Sequence, residues 1–122
     1  MIVAAVPIIP PDRGRYWAFY IVNDSNQPIE AIVVESVEYE WGDIGNSERI
    51  DTRFGPIAPN SFVEVYRETD TEVRTALTLR VNGAEGPQRT IAKVGRLYAR
   101  PSGLEPLPIL GRDGKLATLA RV

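Results

Sequence analysis

Residues 72–82 restrict the fold of this 122-residue chain more than any other stretch. Val73, Thr75, Leu77, Leu79 and Val81 take alternate positions, and Glu72, Arg74, Ala76, Thr78, Arg80 and Asn82 fill the places between them. A period of two puts one set on each side of an extended strand, whereas a helix would scatter both sets around its axis. The stretch predicts an antiparallel strand with Leu77 and Leu79 in a core and Arg74 and Arg80 in water.

Other segments read the same way. Residues 15–23 carry Tyr16, Trp17, Phe19, Tyr20, Ile21 and Val22, aromatic or β-branched types that favour strands. Both faces are apolar, which predicts a central strand covered on both sides. A polar cluster, Asn23 to Pro28, then turns the chain. A second strand is expected over 29–41. Its apolar phase slips near Glu35 and Ser36, as a β-bulge requires. Residues 42–47 read as a loop with two glycines, 49–54 as a short strand, and 61–68 and 88–100 as further strands. In 55–60, Pro56 and Pro59 lack the N–H that a ladder needs, so this stretch should carry the chain between sheets. In the tail, Asp113 and Gly114 lie between apolar runs, the signal of a hairpin turn.

Short strands at this spacing, with Gly- and Pro-rich connections, predict an all-β protein: an antiparallel β-sandwich of about seven strands. An immunoglobulin-like topology is favoured, with a small closed β-barrel as the alternative. The expected organisation is a single domain over 1–122. It has an apolar N-terminal arm, 1–11, expected as an extended edge strand or an arm that docks on the domain, and a Pro/Gly-rich C-terminal hairpin segment, 101–122.

Composition narrows the chemistry. The chain has no cysteine and no histidine, so disulfides, thiolate metal sites and any catalytic arrangement built on His or Cys are excluded within it. Its net charge is −2, and its basic residues are scattered among acids. That argues against a nucleic-acid partner, and the two lysines, Lys93 and Lys115, make no polybasic membrane patch. No apolar run reaches the roughly 20 residues of a membrane-spanning helix. Residues 1–11 lack a positive segment and contain Pro7, Pro10 and Pro11, unlike a secretory signal. A cytoplasmic location is therefore expected.

Several clusters could carry function. The richest is Asp43, Asn46, Glu48 and Asp51, oxygen-bearing side chains on a glycine-containing stretch, with Trp41 at its rim. Such oxygens suit a hard cation or a polar ligand, and an aromatic ring at a loop rim can anchor a partner. The acids do not recur at the alternate positions of a twelve-residue calcium loop, so no metal and no cofactor is expected there. Glu38 and Glu40 share the wet face of a strand, where nothing desolvates them for acid–base work. Residues 111–115 lack the spacing and the Ser/Thr of a phosphate-binding loop.

The expected function is a non-catalytic binding or assembly module acting through protein–protein contacts. The alternative is a carbohydrate- or calcium-dependent ligand-binding sandwich using Trp41, Asp43, Asn46, Glu48 and Asp51. A carboxylate-based hydrolase ranks last. Two apolar segments, 1–11 and 104–122, need cover. Either they dock on their own domain or they pair across a two-fold axis, and the second outcome favours a homodimer.

Overall fold

A computed structural model describes residues 1–10, 14–41, 44–70, 72–83, 86–98 and 100–122, with residue 41 described in its backbone only. The described residues form two five-stranded antiparallel sheets packed face to face as a β-sandwich. The strands are β1 (Ile2–Ile8), β2 (Tyr16–Asn23), β3 (Ala31–Trp41), β4 (Ile44–Phe54), β5 (Ser61–Glu68), β6 (Val73–Gly83), β7 (Gly86–Leu97), β8 (Glu105–Pro106), β9 (Asp113–Leu116) and β10 (Thr118–Arg121). The first sheet has the order β5-β2-β1-β9-β8 and the second β10-β7-β6-β3-β4. Among the described residues no helix is long and apolar enough to cross a membrane.

The core lies between the sheets. Val73, Leu77 and Leu79 of β6 are fully buried, and Arg74 and Arg80 are exposed, as the alternation of 72–82 requires. Phe19 and Ile21 of β2 and Ile32, Val34 and Val37 of β3 close the same core. Val34 and Val37 can both point inward because the register of β3 against both neighbours shifts between Val34 and Ser36. Glu35 is the extra residue relative to β6, so the bulge falls at the phase slip in the sequence. The turn after β2 is held by Asn23, which is fully buried. Its amide donates to the carbonyls of Gln27 and Ile57, and its oxygen accepts from the Ser25 backbone and hydroxyl.

Three expectations need correction. The N-terminal arm is not at an edge: β1 lies between β2 and β9. Pro7 is tolerated there because β9 pairs only with Ala4 and Ala5, so no ladder bond from β9 is missing at Pro7. The predicted loop over 42–47 is largely strand. β4 begins at Ile44 and pairs with β3 from Trp41↔Ile44 to Ile32↔Phe54. As an edge strand with exposed residues along nearly its whole length, it has no apolar alternation to betray it. The tail hairpin is also shifted. Asp113 and Gly114 lie in β9 rather than in the turn, and the connection is closed by Leu107 N–H donating to Arg112 C=O at 2.9 Å. Gly114 is required for packing, not turning: a Cβ there would stand 2.5 Å from the Ala5 carbonyl oxygen.

The apolar segments are covered only in part: Ile9, Ile109, Leu116, Leu119 and Val122 are exposed. Leu107 is 5% exposed and packs with Ala4 and Val6 on the outer side of the first sheet.

Candidate functional site

The residues singled out around the β3–β4 hairpin do not converge. Asp43 lies outside the described residues, and Trp41 is described only as the backbone end of β3. Asn46, Glu48 and Asp51 are all exposed on β4. Asn46 Oδ1 accepts from the Ser47 backbone N–H at 2.9 Å. Asp51 has a positive φ of 52°, sits where the β3–β4 register shifts, and pairs with Arg49 at 2.5 Å. Glu48 Oε2 accepts from Tyr39 Oη at 2.5 Å. Their oxygens are directed to protein partners, and the depression beside Tyr39 and Asn46 is shallow and open. Among the described residues no cluster of acids forms a cation cage.

Two other arrangements emerge. The first lies around two tyrosines packed against the core, Tyr39 of the second sheet and Tyr66 of the first. Tyr39 donates its hydroxyl to Glu48 Oε2. Tyr66 Oη and Glu68 Oε2 are hydrogen-bonded at 3.2 Å, and Glu68 Oε1 accepts from the Asp70 backbone N–H at 3.1 Å. Glu68 is 4% exposed, while Glu48 stands in water. Burial, aided by the Asp70 charge, holds the Glu68 carboxyl above the ordinary carboxylate range despite the backbone donors at Asp70 and Thr69. Burial and the neighbouring Glu68 charge push the Tyr66 phenol upward. Tyr66 also meets Phe19 edge to face, with ring centroids 5.7 Å apart.

The second arrangement covers the outer face of the second sheet. Arg53↔Val33, Val33↔Arg80 and Arg80↔Arg89 are directly opposite pairs on β4, β3, β6 and β7, so these residues form one row across four strands. At the usual strand spacing, Arg53 and Arg80 lie about 10 Å apart with Val33 between them. Arg80 and Arg89 are immediate neighbours, a like-charge pairing that disfavours the sheet. Among the described residues, Glu35, set beside them at the bulge, is the carboxylate that pairs with the row. Arg89 Nε and Nη2 grip its two carboxylate oxygens at 3.0 and 3.2 Å. The Arg89 hydrogen bond, with added charge from Arg89, Arg80 and Arg49, holds the Glu35 carboxyl below the ordinary range. Arg53 and Arg80 are exposed and form no ion pair among the described residues.

Sequence reasoning reached Glu48 but not its partners, and it placed Arg80 in water without its neighbours. The row joins positions far apart in the chain, and only the register aligns them. The chain matches no family model, no curated protein and no solved structure.

Proposed function

We propose that this chain is a non-catalytic binding module, that it acts through protein–protein contacts, and that the outer face of its second sheet is the docking surface. The observation that carries this reading is the row Arg53, Val33, Arg80, Arg89, with exposed guanidinium groups and one carboxylate, Glu35, to balance them. A fold does not keep like charges opposite each other for stability. Exposed arginines, with their planar forks, suit carboxylates of a partner. The chain as a whole carries −2, so this row is opposite in sign to the molecule's balance, and an acidic protein segment is the fitting partner.

We read the topology as immunoglobulin-like. What supports this is the strand order: first, second and fifth strands in one sheet, with third, fourth, sixth and seventh in the other. That is the distribution of an immunoglobulin-type sandwich with an added fourth strand beside the third. Binding surfaces on the β-strands and loops of such sandwiches are common, an analogy of fold alone.

The test is a titration of fluorescent hexaglutamate peptide into the wild-type protein and an Arg53→Glu/Arg80→Glu variant, at low and at physiological salt. The expected result is binding that weakens with salt and falls at least about tenfold in the variant, equivalent to about 1.4 kcal/mol. Equal affinity for both proteins, or no binding to the wild type at low salt, would remove this reading.

A further inference from the structure

We propose that Glu35 is a built-in competitor in the arginine row: its carboxylate holds the Arg89 guanidinium, so an acidic partner is taken by Arg53 and Arg80 on either side of Val33. This rests on the docking surface proposed above and names the residue that sets its selectivity.

The geometry begins at the bulge. Val34 and Ser36 pair with Leu79 and Thr78 of β6, so Glu35, between them, has no residue opposite it on that strand. Arg89 stands on β7, opposite Arg80 of β6. Glu35 and Arg89 therefore meet across β6, which separates their own strands. Arg89 Nε donates to Glu35 Oε1 at 3.0 Å and Nη2 donates to Oε2 at 3.2 Å. That is the bidentate fork with which a guanidinium takes a carboxylate. It is also the contact that a partner's carboxylate would make with an open arginine of the row, and in Arg89 this edge of the fork is already filled.

Glu35 keeps this place against a free carboxylate for two reasons. It is 8% exposed while Arg89 is an exposed residue, so the carboxylate is the covered member of the pair, and Arg80 and Arg49 add their charge to that of Arg89. It also belongs to the same chain, which sets its effective concentration at Arg89 in roughly the millimolar range or above, a level that a free acidic segment must exceed. Arg53 and Arg80 are placed differently. Both are exposed, and neither forms an ion pair among the described residues. They stand about 10 Å apart at the usual strand spacing, with half-buried Val33 between them. The row thus takes two carboxylates that flank an apolar contact, and Glu35 excludes a third.

The experiment follows the arginine side-chain Nε–H signals by NMR as hexaglutamate is added to the wild type, Glu35→Gln and Glu38→Gln. Glu38 is exposed on the same strand, so its substitution removes the same charge without freeing Arg89. In the wild type the Arg53 and Arg80 signals should move saturably. The Arg89 side-chain signal should stay, although the Arg89 backbone, opposite Arg80, feels the ligand. In Glu35→Gln the Arg89 signal should move with the other two, and affinity should rise about threefold, as for one exposed ion pair gained. In Glu38→Gln the Arg89 signal should stay, as in the wild type. A wild-type Arg89 signal that moves with that of Arg80, or one that stays in Glu35→Gln, would overturn the proposal and leave the docking surface standing. Wild-type Arg53 and Arg80 signals that do not respond would remove the docking surface and the proposal with it. Should Glu35→Gln not fold, the wild-type signals decide alone.

Discussion

On the outer side of the first sheet, Ala4 and Val6 are buried beneath Leu107, with Leu110 packed against the same cluster. On the outer side of the second sheet, Val33 stands among Arg53, Arg80 and Arg89, and no segment of the described chain lies over that row. The same two-layer fold thus has one face partly covered by its own chain, with Phe62 and Leu116 still exposed, and one left open and charged. The difference teaches where to look for a partner. Apolar cover on the first sheet is a folding interaction worth several kcal/mol, and arginines facing arginines on the second contribute nothing comparable to stability.

Substitutions should separate the two faces. Leu107→Ala deletes a buried side chain and leaves a gap over Ala4 and Val6, so it should cost on the order of 2–5 kcal/mol in denaturant unfolding. A near-zero loss would mean that the tail is not cover at all. Gly114→Ala should cost about 1–3 kcal/mol, because its Cβ would press on the Ala5 carbonyl and on Leu107. Arg80→Ala on the open face should change stability by no more than about 0.5 kcal/mol, in either direction. If Arg80→Ala destabilised as much as Leu107→Ala, the open face would be structural and the contrast would fail.

The two enclosed carboxyls sharpen the same contrast through pH. Glu68 binds its proton more tightly in the folded chain than in the unfolded one. Its contribution is therefore complete below the ordinary glutamate range, about pH 4.3, and is lost as pH rises through its higher folded value. Glu35 has the opposite sign: held low by Arg89, it contributes above that range and loses the contribution as pH falls through its lower folded value. Unfolding midpoints across pH should show Glu68→Gln flattening the curve on the rising side and Glu35→Gln on the acid side. Identical changes in the two variants would refute the assignment.

How much of this was legible in the sequence varied with how regular the pattern was. β6 could be read residue by residue because its period of two is unbroken, and the β3 bulge could be read because two inward valines fall out of phase around it. β4 could not. An edge strand needs no buried face, so its Gly, Asn and Ser residues looked like a loop. Tyr66 and Glu68 escaped for another reason. The β2–β5 register shifts between Phe19 and Tyr20, which makes Val65 an extra residue and hides that Tyr66 and Glu68 share the inner face with Val63. Likewise Asp113 and Gly114 carried a turn signal, but the close approach of Gly114 to Ala5 outweighs it.

The most direct test of the account is to map where an acidic ligand lands. Backbone amide shifts of isotopically labelled protein, followed as hexaglutamate is added, report each strand separately. The account predicts saturable shifts at Val33, Arg53, Arg80 and Arg89, with Ala4, Val6 and Leu107 unmoved. Shifts centred on the first sheet, or spread evenly over both faces, would contradict it.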